Sequence, residues 1–176
     1  MVTADDIWTF WFTDTPRARW FNATDAFDAD IRQRFESAAI GLSAALDTAK
    51  PHIWETEGQK AHLSLILALD QFPRNMYRDT PAAFAWDAKA LAVTKRLLHS
   101  GGDLRLDQTA RPFAYMPFMH SENLADQTRC VELCDARLED AGTLKFAIIH
   151  RDIIAQFGRF PHRNKILGRD TTPAEQ

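Results

Sequence analysis

Residues 59–75 read QKAHLSLILALDQFPRN and carry the strongest structural signal of the chain. From Leu63 to Leu69, apolar side chains would cover nearly every side of a helix. A helix that is apolar all round is enclosed by other elements. We therefore expect a central buried helix from Gln59 to Asp70, and we expect Pro73 to end it within the polar run Asp70–Asn75 because proline lacks a backbone N–H.

The composition favours helices throughout the rest of the chain. There are 26 Ala and 16 Leu but only three Val, and no segment alternates polar and apolar residues for long enough to predict a strand. The length of 176 residues, with 45% hydrophobic residues, suits one domain over 1–176. We expect an all-α fold of about seven helices, joined by short loops and packed as antiparallel neighbours in a bundle or a small superhelix.

Capping residues and prolines set the other expected boundaries. Thr3 and Thr24 begin the first two helices, and Pro16 ends the first. Thr80-Pro81 begins a helix that stops at Gly101-Gly102. Pro112 and Pro117 break the next segment into short pieces, and Ser121 caps a helix that stops near Gly142. A last long helix carries Leu144, Phe146, Ile149, Ile153 and Phe157.

Two segments of the chain resemble each other. Residues 62–73 and 150–161 share His, Ile, Phe and Pro at an offset of 88, since 150 − 62 = 88. Each copy is followed by Arg-Asn and then by Arg-Asp-Thr before a proline. This pattern predicts an internal duplication, in which each half holds a buried helix that ends in Phe-Pro, followed by an Arg/Asn turn.

Charge and composition exclude several classes of function. The net charge is −3 and the pI about 6.0, so no overall basic field indicates a nucleic acid or an anionic membrane as partner. Two cysteines, Cys130 and Cys134, are too few for a disulfide framework or a tetrahedral zinc site. No basic leader, membrane span or Gly-rich phosphate loop is present, so we expect a cytoplasmic protein without a cofactor.

Four motifs resemble those of a known bacterial family. They are Phe10-Trp11-Phe12, Leu69 to Asn75, Phe113 to Pro117 followed by His120-Ser121-Glu122, and Phe157 to Asn164. In this order they closely resemble the family named only as domain of unknown function 924. The resemblance implies an all-helical fold similar to tetratricopeptide-repeat superhelices, and it implies no biochemical activity.

Arginine, histidine and asparagine concentrate in these same motifs. The chain has 15 Arg to 6 Lys, and the planar guanidinium suits fixed contacts to carboxylate or phosphate. The sequence therefore predicts a polar cleft that binds a small anionic ligand. The candidate ligand-binding residues are Arg74, Asn75, Arg78, His120, Glu122, Arg159, His162, Arg163 and Asn164. The alternative is that these residues cap helices, or form salt bridges with Asp70, Asp79, Asp152 and Asp170.

The sequence is also compatible with two other functions. The first is an acid/base enzyme of hydrolase or lyase type, in which His120 or His162 moves protons and Glu122 orients an imidazole. The second is a protein-interaction module of tetratricopeptide-like type, or a homodimer. His120, Glu122, His150, Asp152 and His162 lack the spacing of known metal motifs, so we expect no metal, and His62 and His150 are interpreted as core histidines.

Overall fold

The computed structural model describes residues 1–22, 24–48 and 50–176, and within these ranges it contains eight α-helices and no strand. The helices are α1 Ala4–Thr9, α2 Asp25–Ala45, α3 Gln59–Met76, α4 Asp87–His99, α5 Arg111–Met119, α6 Leu124–Arg137, α7 Ala141–Phe157 and α8 Asn164–Leu167. The all-α prediction is confirmed. One helix is added to the seven expected, because a single turn, α8, follows the last predicted helix.

Helix α3 is the centre of the fold, as its sequence predicts. It packs against α1, α2, α4 and α5. Leu65, Ile66 and Leu67 have no exposed surface, which explains why apolar residues occupy every side of this helix. Successive helices from α2 to α7 pack against each other along the chain.

The predicted end of α3 is wrong. The helix continues through Pro73 and ends at Met76, after which Asp79 adopts a positive φ of 59°. Proline removes only its own donor, the one that would reach the carbonyl of Leu69, so the rest of the helix can continue. The Nη1 of Arg74 adds a hydrogen bond of 2.7 Å to the backbone carbonyl of Asp70. As a result, the polar side chains of Asp70 to Asn75 project from a helix and not from a turn.

Several other helix starts follow their predicted caps. Thr3 forms a capping box with Asp6, and the Thr24 side chain accepts a hydrogen bond from the N–H of Phe27. The first helix passes into a turn of π-helix over Phe10–Asp14 and stops before Pro16, as expected.

Three further boundary predictions are wrong. Thr80-Pro81 opens a 3₁₀ turn, and α4 starts later at Asp87, although it ends before Gly101 as predicted. Pro112 and Pro117 lie within the single helix α5. The cap of α6 is Asn123 and not Ser121, and α6 ends at Arg137.

The two similar segments take different local structures. Phe72-Pro73 lies inside α3, whereas Phe160-Pro161 lies beyond the end of α7. Gly158, at φ 68°, ends α7 in the left-handed region that glycine adopts without steric cost. The expectation that each half holds a helix ending in Phe-Pro is therefore wrong for both copies.

Cys130 and Cys134 are free thiols buried between helices, as expected of small core side chains. Across the described ranges, each helix is either too short or too polar to cross a lipid bilayer.

Candidate functional site

The buried carboxylate of Asp70 is the centre of the candidate site. Asp70 has no exposed surface, although it carries an ionisable side chain. Its Oδ2 accepts a hydrogen bond of 2.6 Å from Gln71, and its Oδ1 lies 3.4 Å from the Nη1 of Arg74. Burial by itself would raise the pKa of Asp70. The neighbouring His120 and Arg74 outweigh burial and hold this pKa well below its usual range, so the side chain is a carboxylate at neutral pH.

His120 completes a hydrogen-bonded pair with Asp70. It follows the last residue of α5, and its Nδ1 lies 2.8 Å from the Oδ1 of Asp70. Because an ionised carboxylate only accepts hydrogen bonds, Nδ1 carries the proton. Burial, followed by the positive charge of Arg74, lowers the pKa of His120 despite the attraction of Asp70. The imidazole is therefore neutral at neutral pH, with its lone pair on Nε2.

Two arginines share one carboxylate beside this pair. Arg74 and Asp87 form a forked contact, with distances of 2.8 Å to Oδ1 and 2.9 Å to Oδ2. Arg163 approaches the same Oδ2 at 3.5 Å and donates to the backbone carbonyl of His120 at 3.1 Å. The Arg163 guanidinium lies 4.5 Å from the ring centres of both Phe84 and Phe160. Burial lowers the pKa of Arg163 to about 10, which still leaves it charged at neutral pH.

A second carboxylate, Asp28 of α2, holds the other polar residues of α3. Asn75 donates from Nδ2 to the Oδ1 of Asp28 at 2.7 Å. Arg78 donates from Nε to Oδ2 at 2.7 Å and from Nη2 to Oδ1 at 3.1 Å. These contacts fix both side chains against α2, although half of the Arg78 side chain remains exposed.

These side chains border a cavity of about 620 Å³, which we call the central cavity. Its polar wall consists of Gln71, Arg74, Asn75, Arg78 and His120, together with Gly142, Thr143 and His150 of α7 and the cap of that helix, Asp140. Its apolar wall consists of Trp20, Phe21, Met116, Met119 and Phe146. Trp20 is held in place by a hydrogen bond of 2.9 Å from its Nε1 to the carbonyl of Trp11.

A smaller cavity of about 450 Å³, the side cavity, lies on another face of His120. Arg163, Asp87, Ser121 and Glu122 supply its polar atoms. The carboxylate of Glu122 accepts hydrogen bonds from Arg169 at 2.7 and 3.0 Å and from the N–H of Phe160 at 2.8 Å. Burial opposes the ionisation of Glu122, but these hydrogen bonds outweigh it and lower its pKa. Glu122 therefore ties the segment after α7 to the end of α5.

The structure brings together six of the nine residues proposed from the sequence. Arg74, Asn75, Arg78 and His120 line the central cavity, and His120, Glu122 and Arg163 line the side cavity. His120 borders both, so it is the residue on which the two cavities meet.

The other three lie outside both cavities. Arg159 binds the carboxylate of Glu175, and the buried Asn164 accepts a hydrogen bond from Arg169 at 3.0 Å. His162 is exposed, with its ring 5.4 Å from that of Phe160. Arg159 and Asn164 hold the C-terminal segment together, whereas His162 only packs against Phe160.

Sequence reasoning missed several residues of the site. Asp28 and Asp87 fix the arginines, although the expected acidic partners of the arginines were Asp70, Asp79, Asp152 and Asp170. Of those four, only Asp70 forms an ion pair with one of the candidate arginines, at its 3.4 Å contact with Arg74. His150, interpreted as a core residue, lines the central cavity. Aspartates in the first turn of a helix are ordinary capping residues, so no sequence signal distinguished Asp28 or Asp87.

Within residues 1–22, 24–48 and 50–176, no group of three or more His, Cys, Asp or Glu side chains is arranged to hold a metal ion. The side chains around His120 can form hydrogen bonds, and a neutral imidazole can accept a proton. A neutral imidazole, oriented by a buried carboxylate and placed in a cavity wall, is suited to general base catalysis.

Comparison with known proteins places the chain in a family. No curated protein matches it. A solved structure of a protein of unknown function from Agrobacterium tumefaciens is similar, with 39% sequence identity and a TM-score of 0.88, and the match covers 98% of this chain and 93% of that one. The profile of the family described as bacterial protein of unknown function (DUF924) matches residues 7–176. The chain belongs to this family.

Proposed function

We propose that this protein is an enzyme that moves a proton on a small molecule held in the central cavity, with His120 as the acid/base group. The observation that carries the proposal is the 2.8 Å contact between His120 Nδ1 and the buried carboxylate of Asp70 in the wall of that cavity. Asp70 is the positioning residue, because it fixes the tautomer of the imidazole and stabilises the imidazolium that forms.

The volume of the central cavity suits a small molecule. Ligand pockets have volumes of about 300–1,000 Å³ and combine an apolar lining with a few polar groups. Here Trp20 and Phe146 would cover the apolar part of the ligand, while Gln71 and Asn75 would orient its polar part. We also propose a cytoplasmic location, which buried free cysteines support because they fit a reducing compartment.

The test is a turnover screen with matched variants. The screen uses substrates that carry a hydroxyl or amino group: 4-nitrophenyl esters of amino acids, which report hydrolysis, and hydroxyketones in deuterated water, which report proton abstraction. We expect His120→Gln to lower any turnover found by about 10²- to 10⁴-fold, the usual contribution of a general base. His162→Gln removes an exposed imidazole outside both cavities and serves as the control, which should keep full activity.

The pH profile provides a second readout. Activity requires the neutral form of His120, whose pKa is lowered. Activity should therefore be complete at neutral pH and decline only at pH values below about 6.5, the ordinary pKa of histidine. An absence of turnover in both assays, or equal turnover in His120→Gln and the wild type, would contradict the proposal.

Binding of a small anionic ligand without turnover is a second candidate. The observation in its favour is Arg78, which lines the central cavity with half of its side chain exposed. Titration of the protein with benzoate and inorganic phosphate tests this candidate. Arg78→Gln should weaken the binding of both anions, and equal binding by the variant would contradict it.

A further inference from the structure

Most of the charged donors around the central cavity are already engaged within the protein. Both Nη atoms of Arg74 bind the carboxylate of Asp87. The Nε and Nη2 of Arg78 bind Asp28. A ligand that needs strong donors, such as a carboxylate or a phosphate, would have to compete with these internal carboxylates for the guanidinium groups.

The two amides in the same wall present acceptors. Gln71 and Asn75 each face a carboxylate, at 2.6 and 2.7 Å. Since a carboxylate accepts hydrogen bonds, the NH₂ group of each amide must point toward it. The amide oxygens of Gln71 and Asn75 therefore remain available as hydrogen-bond acceptors, and no donor from the described part of the chain reaches them.

The two imidazoles of the cavity present acceptors as well. His150 lies on α7, and its Nδ1 is 2.8 Å from the backbone carbonyl of Phe146, so Nδ1 carries the proton. His120 holds its Nδ1 proton against Asp70 in the same way. Burial lowers the pKa of His150, although the hydrogen bond to Phe146 opposes this effect. Each neutral ring therefore keeps a lone pair on Nε2.

From this inventory we propose that the ligand of the central cavity is a hydrogen-bond donor, an amine or an alcohol attached to an aromatic or aliphatic group, and that His150 accepts one of its N–H or O–H groups. The proposal rests on the function proposed above and specifies its substrate class. The apolar wall, with Trp20, Phe21 and Phe146, suits an aromatic or aliphatic attachment and also favours a cationic amine through the faces of the rings.

The proton-transfer step then balances within the site. The ligand O–H or N–H bond that faces His120 breaks, its electron pair stays on the oxygen or nitrogen, and a new N–H bond forms at Nε2. The imidazolium charge is balanced by the carboxylate of Asp70 at 2.8 Å. Among the described residues, His150 has a backbone carbonyl and no carboxylate as its hydrogen-bond partner, so it stays neutral and holds the ligand in position.

The test compares three probes of nearly equal size: benzylamine, benzyl alcohol and benzoate. Binding to the full chain is measured by calorimetry or by ligand-observed NMR. We expect benzylamine and benzyl alcohol to bind at least tenfold more tightly than benzoate. His150→Phe keeps a ring but removes the acceptor, and it should weaken the two donor probes about fivefold, the value of one hydrogen bond. His162→Phe should change nothing.

A second readout needs no variant. In the wild type, benzylamine should shift the ring NMR signals of His120 and His150. The signals of His62 should not change, because its Nε2 is held by the carbonyl of Val93. Tighter binding of benzoate, unchanged binding by His150→Phe, or failure of both donor probes to bind would overturn the inference. If turnover depends on His120 but the protein does not prefer the donor probes, only the inference about the ligand is wrong. If turnover survives in His120→Gln, the proposed function is wrong.

Discussion

Replacement of Asp70 by asparagine is the perturbation whose effect the structure specifies most fully. The wild-type carboxylate, which has no exposed surface, accepts hydrogen bonds from Gln71 and His120 on its two oxygens. Asparagine has the same size but only one acceptor oxygen. One of the two donors must therefore face an NH₂ group, and a buried donor left unsatisfied destabilises a protein by about 1–3 kcal/mol.

The loss of charge adds to this effect. Removal of one partner of a buried ion pair costs about 3–5 kcal/mol. Arg74 keeps its forked contact with Asp87 in the variant, so we take the lower end and expect Asp70→Asn to reduce the free energy of unfolding by about 3 kcal/mol. For a protein of this length that corresponds to a fall in Tm of roughly 6–12 °C, at about 2–4 °C per kcal/mol.

Urea unfolding followed by tryptophan fluorescence measures the difference. Because the pKa of Asp70 is lowered in the folded state, its contribution is complete above the ordinary aspartate value of about 3.9 and is lost as the pH falls through the lowered value. The difference in the free energy of unfolding between the wild type and the variant should be complete at pH 7 and should decrease only at acidic pH. Asp152→Asn removes an exposed carboxylate paired with its neighbour Arg151 and should change stability by less than about 0.5 kcal/mol. A loss below about 1 kcal/mol for Asp70→Asn, or a loss equal to that of the control, would refute the reasoning.

Three further substitutions have defined outcomes. Glu122→Gln removes the charge that binds Arg169 and should destabilise the protein by about 1–3 kcal/mol above pH 5 in thermal unfolding, and an unchanged Tm would be inconsistent with the contact. Gly158→Ala forces a side chain into a φ of 68° and should cost about 1 kcal/mol, measured by urea unfolding, although no atom would meet the new Cβ. Gly41→Ala, on the exposed face of α2, should instead raise stability by about 0.5–1 kcal/mol, and the same sign for both glycines would disprove the backbone argument.

The helical architecture followed from the sequence because local signals carry it. The all-round apolar pattern of Leu63–Leu69 specified the central helix, and the caps at Thr3 and Thr24 specified two helix starts. Prolines were less informative. Pro73 and Pro117 lie inside helices because each removes a single donor, which a buried helix tolerates when its neighbours hold it in place.

The candidate site was predictable only in part, for a related reason. Arg74 and His120 stood out by residue type and motif. The partners that define their chemistry, Asp87 and Asp70, are 13 residues from Arg74 and 50 residues from His120 along the chain. Such pairings depend on how α3, α4 and α5 pack, and the local sequence pattern does not predict this packing. His150 was interpreted as a core residue because its neighbours on α7 are apolar, whereas the cavity beside it appears only when α5 and α7 are placed together.

The protonation state of His120 tests the central claim most directly. Nitrogen-15 NMR of the histidine rings distinguishes neutral from charged imidazole and identifies the nitrogen that carries the proton. We expect His120 to be neutral at pH 7, with its proton on Nδ1, and to titrate below the ordinary histidine value of about 6.5. An imidazolium at pH 7, or a neutral ring with its proton on Nε2, would contradict the assignment of His120 as a base oriented by Asp70.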